Sequence, residues 1–475
     1  MKTTPFRMVF IIRAPMAVQS TVFLSFFFPL TLALDRLTPG TRWKNRVLLV
    51  FSLVFYTFGQ WQGLPVLLAS AVLSFAAGAF LAKHPGSKPV LILTLTAHLA
   101  LLGVFKYLDF FSNALGLPGL GLMTPLGVSF FTFKGMSYVI DVYRGGPAAA
   151  RFTDTLLYLS FFPQVTSGPI TRFDSFAAQL TDRTATPERT ARGLRRFIVG
   201  LGKKLLISAP AASVANAAFA LGEGLDVRTA WLGALAYTIQ IYFDFSGYSD
   251  MAIGLGAVFG FDTPENFQYP YIASSITEFW RRWHISLSQW FRDYLYIPLG
   301  GNRKGVGRKA ANTAIVFLLC GLWHGAAWTF LLWGAWHALF SALESLKVID
   351  CKRWSRAAPG RVICHIYTLL VVCLGFVIFR SADLGQAAAM FWGMFTGFRL
   401  TAASTLALCR VSPASWCALA VGAVGCMPIA PKLSAWAADK RAVRVCSYAG
   451  AVALFLLCLM AAAGGGFQPF IYGQF

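Results

Sequence analysis

The chain has 475 residues, of which 57% are hydrophobic and only 13% are charged. Soluble globular domains carry about 25% charged residues, so this composition excludes a soluble enzyme, a disordered chain and a fibrous protein. Apolar runs of helix-spanning length recur along the whole sequence. The composition therefore predicts an all-α polytopic membrane protein that forms a single membrane-embedded domain over residues 1–475.

The charge balance is strongly basic, with 41 Lys and Arg against 19 Asp and Glu, a net +22. The basic residues collect in short loops between apolar runs, which is the pattern of cytoplasmic loops. We interpret the charge as membrane orientation and contact with anionic lipid, and we expect no nucleic-acid partner. The loops in question cover residues 36–46, 83–88, 172–204, 281–309 and 347–361.

The apolar segments number roughly eleven to thirteen if re-entrant and interfacial pieces are counted. Segment 153–170 contains Pro and Gly and is predicted to be re-entrant. Segment 311–345 is too long for one span of about 20 residues, so it predicts a hairpin that turns near Gly325. Asp244 and Asp250 lie in an apolar run, where we expect each carboxylate to face a polar cavity or a basic partner. Their role stays open between a structural salt bridge and the orientation of a histidine.

The segment from 274 to 310 predicts a helix that does not span the membrane. Ser275 and Glu278 fit a capping box, which marks a helix start. Aromatic residues then recur at spacings of three and four, which predicts one aromatic helix face on a helix that lies in the membrane interface or dips into the protein. The face consists of Trp280, Trp283, Leu287, Trp290, Phe291 and Tyr294.

Three of the six histidines, His284, His324 and His337, fall within this stretch and the hairpin after it. His324 is flanked by glycines and tryptophans, and an ionisable group at membrane depth is a functional candidate. A histidine can serve as general base because its pKa lies near operating pH, although a structural role is equally compatible with the spacing. For His284 an aromatic-belt role and a catalytic role remain open. For His337 we expect a packing role.

The sequence offers little for other catalytic chemistries. All nine cysteines lie at or after Cys320, without metal-binding spacing, so we expect neither a disulfide framework nor a metal. The P-loop, the GxSxG elbow and the HExxH motif do not occur in the sequence. Mechanisms that use a nucleophilic serine or a metal ion therefore lack support.

Several ordered motifs resemble one family. The stretches 283–303, 322–326, 126–133 and 244–250 resemble the membrane-bound O-acyltransferases, in particular the bacterial branch that acetylates alginate and peptidoglycan and, more distantly, D-alanylates teichoic acids. The matching core runs from about 120 to 345, followed by C-terminal spans and a tail over 362–475. The resemblance implies a ring of tilted helices around a thin partition, with a tunnel joining the two membrane faces.

The resemblance also implies roles for individual residues. His324 corresponds to the essential catalytic histidine and His284 to a second important one. Tyr472 lies in a C-terminal Phe-x-Tyr-x-x-Phe motif whose tyrosine is proposed to carry the acyl group, although Gly473 departs from the usual residue there. Further candidates are Asp244, Asp250 and Trp323 as supporting residues, and Arg303 and Lys304 as contacts for the phosphates of the donor.

The expected function is transfer of acetyl groups from cytoplasmic acetyl-coenzyme A, across a bacterial inner membrane, to an extracytoplasmic polysaccharide. The resemblance implies a periplasmic esterase-like partner that completes the transfer. A transporter or flippase of glycolipid or polysaccharide, a structural membrane scaffold, and D-alanyl transfer to teichoic acid remain the alternatives.

Overall fold

The computed structural model describes residues 16–303, 305–429, 441–464 and 470–471. All regular secondary structure in these ranges is helical, which confirms the all-α prediction. The chain divides into two compact units: unit 1 consists of Met1–Leu194 and Ala252–Thr263, and unit 2 consists of Arg195–Met251 and Pro264–Phe475. The single domain over 1–475 stays a prediction.

Unit 1 contains the first eight helices and the beginning of the ninth. A buried cluster of phenylalanines, including Phe23, Phe27, Phe55 and Phe162, fills its core with ring centroids 5.4–6.0 Å apart. The helices are α1 Phe28–Leu37, α2 Thr41–Gln60, α3 Leu64–Lys83, α4 Lys88–Leu102, α5 Leu108–Ala114, α6 Val128–Tyr143, α7 Phe152–Ser160, α8 Phe173–Thr181 and α9 Pro187–Gly202, which continues into unit 2.

Unit 2 contains the remaining helices, and the last residues of α11 belong to unit 1. They are α10 Ala209–Phe219, α11 Val227–Val258, α12 Ile276–Arg282, α13 Ile285–Phe291, α14 Gly305–His324, α15 Trp328–Ser345, α16 Cys351–Trp354, α17 Ala358–Arg380, α18 Leu384–Thr396, α19 Ala402–Cys409, α20 Pro413–Gly425 and α21 Arg441–Ala463. A π-helical turn, Lys203–Ser208, joins α9 to α10.

Five helical stretches of the described residues are long and apolar enough to cross a membrane. The pair α19 and α20, bent by 84°, would make a sixth if it forms one span. These stretches confirm the polytopic class, whereas the count of eleven to thirteen segments stays a prediction. The five are Thr41–Lys83, Lys88–Ala114, Pro187–Phe219, Ala358–Arg380 and Val445–Ala463.

Helices α14 and α15 form the hairpin that the sequence predicts, with the turn at residues 325–327. Glycines allow their backbones to touch. A Cβ atom added at Gly321 would lie 2.3 Å from the carbonyl oxygen of Phe330, and one at Gly334 would lie 2.5 Å from that of Phe317. Small residues permit such close helix approach in membrane proteins. The two glycines therefore fix the spacing of the hairpin.

We expect Gly334→Ala to destabilise the protein, because its methyl group would collide with a backbone oxygen that cannot rotate away. Overpacking of this kind costs about 1–3 kcal/mol or more. Gly307→Ala on α14 is the matched control, since nothing lies within 4 Å of an added Cβ there. Thermal unfolding in detergent should show a lower midpoint for Gly334→Ala only; equal midpoints for the two variants would contradict the prediction.

Within unit 2, α9 and α11 also cross at glycines. A Cβ added at Gly200 would lie 2.5 Å from the carbonyl oxygen of Gly247, and one at Gly247 would lie 2.8 Å from that of Gly200. The π-helical turn follows directly after this crossing. The close approach therefore brings the basic residues of the turn, Lys203 and Lys204, against the acidic face of α11.

Candidate active site

His324 is the last residue of α14 and is buried in an aromatic enclosure, with 4% of its surface exposed. The ring centroids of Trp323, Trp333 and Phe379 lie 5.0, 5.1 and 5.2 Å from that of His324. The Cys320 Sγ atom lies 3.8 Å from His324 Nε2. Trp323 and Trp328 are the tryptophans that flank His324 in the sequence. Trp328 is exposed, and Trp333, which follows it on α15, faces the histidine instead.

The segment that carries His284 differs from the predicted continuous helix. Its start is confirmed, since Ser275 Oγ accepts a hydrogen bond from the Glu278 N–H at 3.0 Å. The helix then breaks after Arg282, and His284 adopts a left-handed backbone conformation with φ +44° before α13 begins. The prediction of one continuous aromatic helix face is therefore wrong.

Asn266 explains the break, and sequence reasoning missed it. Its backbone carbonyl accepts the Ile285 N–H at 3.0 Å, and its side-chain oxygen accepts the Ser286 N–H at 3.2 Å. The first N–H groups of a helix need such external acceptors. Asn266 supplies two of them, so a new helix can start at Ile285 with His284 at the corner. An Asn in a Pro-rich loop is a common capping residue, but nothing in its spacing points to α13.

The same contact determines the tautomer of His284. The Asn266 Oδ1 atom accepts from the Ser286 N–H, so this atom is an acceptor, and His284 Nδ1, 3.2 Å away, must carry the proton. The Nε2 atom then bears the lone pair. Burial lowers the pKa of His284 to about 3, so the ring is neutral at physiological pH. His284 is thus suited to accept a hydrogen bond through Nε2.

The three histidines of the predicted stretch belong to one aromatic cluster. The Trp323 ring lies 6.2 Å from His284 and 5.0 Å from His324, and therefore contacts both. The Trp333 ring lies 5.1 Å from His324 and 5.0 Å from His337. The hairpin turn makes this possible, because on one continuous helix His324 and His337 would point to different faces.

The two acids of α11 have basic partners, as one of the open alternatives expected. Asp244 forms a buried ion pair with Lys204 and accepts a hydrogen bond from Ser208 Oγ at 3.2 Å. Asp250 binds Arg196 at 2.9 Å and Lys203 at 2.6 Å. In the described part of the chain neither carboxylate bonds to a histidine, so they do not orient His284 or His324 directly.

The C-terminal tail reaches the Lys204–Asp244 pair. The Ile471 N–H donates to Asp244 Oδ2 at 3.0 Å. The Phe470 ring lies 4.9 Å from Tyr248 and 5.7 Å from Phe245, and Phe245 in turn lies edge-on to His284 at 4.6 Å. Two residues of the predicted tail motif are thus held near the histidine cluster. Tyr472 lies outside the described residues.

A cavity of about 440 Å³ opens between α12, α13, α14 and α15. Its lining combines three basic side chains, Arg281, Arg292 and Lys309, with serine and threonine hydroxyls and two aromatic residues. Phosphate groups are bound by this combination of donors.

Arg303 is exposed and is not among the lining residues of the described chain, and Lys304 lies outside the described residues. No cluster in the described ranges has three or more metal-ligating side chains.

Comparisons with known proteins identify relatives of this chain. Residues 147–380 match the model of the membrane-bound O-acyltransferase family, MBOAT. The chain is 43% identical over 396 residues to a protein of Pseudomonas syringae named probable alginate O-acetylase AlgI, covering 80% of this chain and 75% of that protein. It is 35% identical over 384 residues to the peptidoglycan O-acetyltransferase of Helicobacter pylori, covering 73% of each.

A third relative differs in the group that it transfers. The teichoic acid D-alanyltransferase of Bacillus subtilis is 30% identical over 288 residues, which cover 56% of this chain and 70% of that protein. The chain belongs to the membrane-bound O-acyltransferase family. It is accordingly a multi-pass membrane enzyme that transfers acyl groups from an acyl donor to oxygen.

Proposed function

We propose that this O-acyltransferase moves acetyl groups from cytoplasmic acetyl-coenzyme A, across the bacterial inner membrane, for O-acetylation of an extracytoplasmic polysaccharide. The observation that carries the proposal is the aromatic enclosure of His324, whose Trp323 wall also contacts His284. Relatives named for alginate and peptidoglycan acetylation match 80% and 73% of the chain. The D-alanylating relative matches only 56%, which favours an acetyl group.

In the proposed chemistry His324 is the general base. It takes the proton from an attacking hydroxyl while the oxygen adds to the carbonyl carbon of the thioester. The carbon–sulfur bond then breaks, and the leaving thiolate receives the proton from the imidazolium. The low-dielectric enclosure strengthens every charge interaction made during this step. His284, neutral and with its lone pair on Nε2, is a supporting acceptor.

The attacking hydroxyl in this proposal is the phenol of Tyr472. The hydrogen bond between Ile471 and Asp244, and the packing of Phe470 on Tyr248, support it because they hold the preceding residues near the cluster. The product would be a phenyl ester, which is reactive enough to pass the acetyl group on. A periplasmic esterase-like protein would then move it to a hydroxyl of the polymer, most simply of alginate or peptidoglycan.

The basic cavity supports a phosphate-bearing donor. Arg281 and Lys309 supply positive charge at its walls, beside Arg292, which is paired with Asp293. Coenzyme A carries several phosphates that such side chains can bind. Lys309 is the fifth residue of α14, and His324 ends the helix fifteen residues later, a rise of about 22 Å. The donor would bind its phosphates at the basic cavity and extend its acyl arm toward His324.

We expect Tyr472→Phe to abolish acetyl transfer, because the variant lacks the oxygen that forms the ester. Membranes lacking the periplasmic partner would be incubated with radiolabelled acetyl-coenzyme A, and the C-terminal peptide would be analysed by mass spectrometry. The wild type should accumulate an acetylated peptide, and the variant should retain less than about 1% of the label.

Tyr448→Phe on α21 is the matched control for a lost phenol, since Tyr448 is exposed and contacts Arg195. It should label like the wild type. Equal labelling of Tyr472→Phe and the wild type would contradict the shuttle, while loss of transfer in both tyrosine variants would point to a folding defect.

A further inference from the structure

Helix α18 is apolar but too short to cross the membrane. Its 13 residues, Leu384–Thr396, rise about 20 Å, whereas the hydrocarbon core of a bilayer is about 30 Å thick. The helix contains no charged residue, and the side chains of Gln386 and Thr396 are hydrogen-bonded to backbone carbonyls. A helix that is apolar on every face is covered by protein or by lipid. The contacts of its two ends show where it lies.

Both ends of α18 bond to the same short connection. Near its start, Gln386 Nε2 donates to the carbonyl of Phe219, the last residue of α10, at 2.9 Å. After its end, the Gly397 carbonyl accepts the N–H of Val227, the first residue of α11, at 2.8 Å. Only residues 220–226 separate α10 from α11, which is too little chain to cross the hydrocarbon core. The chain therefore enters and leaves α18 on one side of the membrane.

The basic loops identify this side as extracytoplasmic. The spanning stretch that ends at Phe219 begins in the basic loop 172–204. The spanning helix that ends at Arg380 begins in the basic loop 347–361. Loops of this charge lie on the cytoplasmic side, so both stretches end on the opposite side. The Arg380 Nη2 atom donates to Asn216 Oδ1 at 2.7 Å, which joins the two ends directly.

The two faces of α18 differ in what covers them. The inward face packs on α11 and the residues before it: Trp231 Nε1 donates to the Met394 carbonyl at 3.1 Å. A Cβ atom added at Gly393 would lie 2.7 Å from Leu225 Cδ2. The outward face is exposed among the described residues, and its side chains are all apolar. It consists of Ala388, Ala389, Trp392 and Phe395, of which Trp392 is 72% exposed.

The neighbouring span indicates that lipid covers this outward face. The cytoplasmic half of α17 exposes Val362, Ile363, Ile366 and Leu370, as a lipid-facing helix does. Its extracytoplasmic half, residues 371–379, is nearly all buried, and α18 packs on α17. Helix α18 therefore continues the lipid-facing surface in the extracytoplasmic half of the membrane. A protein partner would instead require hydrogen-bonding groups, and the indole of Trp392 is the only such side chain on this face.

We propose that α18 is a half-membrane helix that lies in the extracytoplasmic leaflet and binds lipid acyl chains through Trp392 and Phe395. The inference does not rest on the proposed function, because it uses only helix length, burial and the side of the loops. It has a consequence for the path of the chain. Because α18 adds no crossing, the bent pair α19 and α20 is the next segment that returns toward the cytoplasm.

The first test locates the two ends of α18. Ala382→Cys and Arg399→Cys flank the helix at exposed positions, and Lys352→Cys lies in the basic loop before α17. Intact spheroplasts would be treated with a maleimide that cannot cross membranes. Both flanking variants should be labelled without lysis, and Lys352→Cys only after lysis. Labelling of only one flanking variant in intact spheroplasts would show that α18 crosses the membrane. In all variants Ser would replace the exposed thiols of Cys409, Cys417 and Cys446.

The second test identifies what covers the outward face. A bimane fluorophore would be attached at Ala389→Cys in the purified full-length chain, reconstituted into phosphatidylcholine vesicles. Bromine atoms on the acyl chains should quench its fluorescence, and aqueous iodide should not. Bimane at Arg399→Cys, beyond the helix end, is the matched control and should show the opposite pattern. Trp392→Cys provides a second position on the same face if Ala389→Cys does not fold.

Two results of the quenching test would overturn the proposal. Quenching at Ala389→Cys by iodide but not by bromine would place the outward face in water, where a protein partner could cover it. Quenching by neither would show that a second copy of the chain covers the face. Acetyl transfer by the wild type would be unaffected by either result, so the proposed function is tested separately.

Discussion

Replacing His324 by Ala should reduce acetyl transfer by a factor between about 100 and 10,000, the usual contribution of a positioned general base. The side chain is 96% buried among Trp323, Trp333 and Phe379, where water cannot readily replace it. His324→Gln should be as inactive, since the amide retains polarity but cannot take a proton near neutral pH. The measurement is O-acetyl content of the cell's polysaccharides, with the protein level in membranes determined in parallel.

The control for His324 is His84→Ala, which removes an exposed histidine at the end of α3. Its polymer acetylation should match that of the parent strain. Acetylation within about fivefold of the parent in the His324→Ala strain, at equal protein level, would exclude the histidine as general base. Such a result would leave the membership of the family intact and redirect the search to His284.

The second large effect is expected when the Lys204–Asp244 pair is broken, which should lower both the stability of the folded protein and the rate of acetyl transfer. Both side chains are buried, at 4% and 2% exposure, so removing one partner leaves an uncompensated charge. Breaking a buried pair in this way costs about 3–5 kcal/mol. We expect Lys204→Met and Asp244→Leu to lower the yield of folded protein sharply, as measured by thermal unfolding in detergent.

The double variant Lys204→Met/Asp244→Leu separates the two effects. Replacing both charges by apolar groups of similar size is often neutral for stability, so the folded yield should recover. The carboxylate that accepts the Ile471 N–H is still absent, so acetyl transfer should stay at least about tenfold below the wild type. A double variant that recovers both yield and transfer would contradict a positioning role.

Lys203→Met provides the matched control on the same π-helical turn. Asp250 loses one partner in this variant but keeps Arg196, which binds it at 2.9 Å. Stability and transfer should therefore change little. Comparable losses in Lys203→Met and Lys204→Met would indicate a general sensitivity of the turn rather than a specific contact with the tail.

Local signals in the sequence were sufficient for several parts of this structure. The low charge fraction predicted helices in a membrane, Ser275 and Glu278 marked a helix start, and the excessive length of 311–345 required a turn. The cost of an isolated carboxylate in an apolar run predicted a polar cavity or a basic partner for Asp244 and Asp250, and the structure has the basic partners. Each of these inferences depends either on residues that are close in the chain or on the cost of burying a charge, which does not depend on the details of the fold.

The parts that escaped prediction depend on contacts between distant residues. The corner at His284 exists because Asn266, eighteen residues earlier, accepts the N–H groups of a new helix. The Trp280 ring contacts Trp333 and His337 only because α12 packs against α15. Helical periodicity describes one element at a time, so it placed Trp280 on one continuous aromatic helix face.

The anchoring of the tail has a kinetic consequence. Ile471 and Asp244 belong to one polypeptide, and Ile471 follows the end of α21 by eight residues. Because the connection is so short, the tail is present near Asp244 at an effective concentration roughly in the millimolar range, whatever the amount of protein. Binding of the tail to Asp244 is therefore an intramolecular step that does not depend on protein concentration. Neither dilution in the bilayer nor low expression would release the tail, and two enzyme molecules need not meet for it to bind.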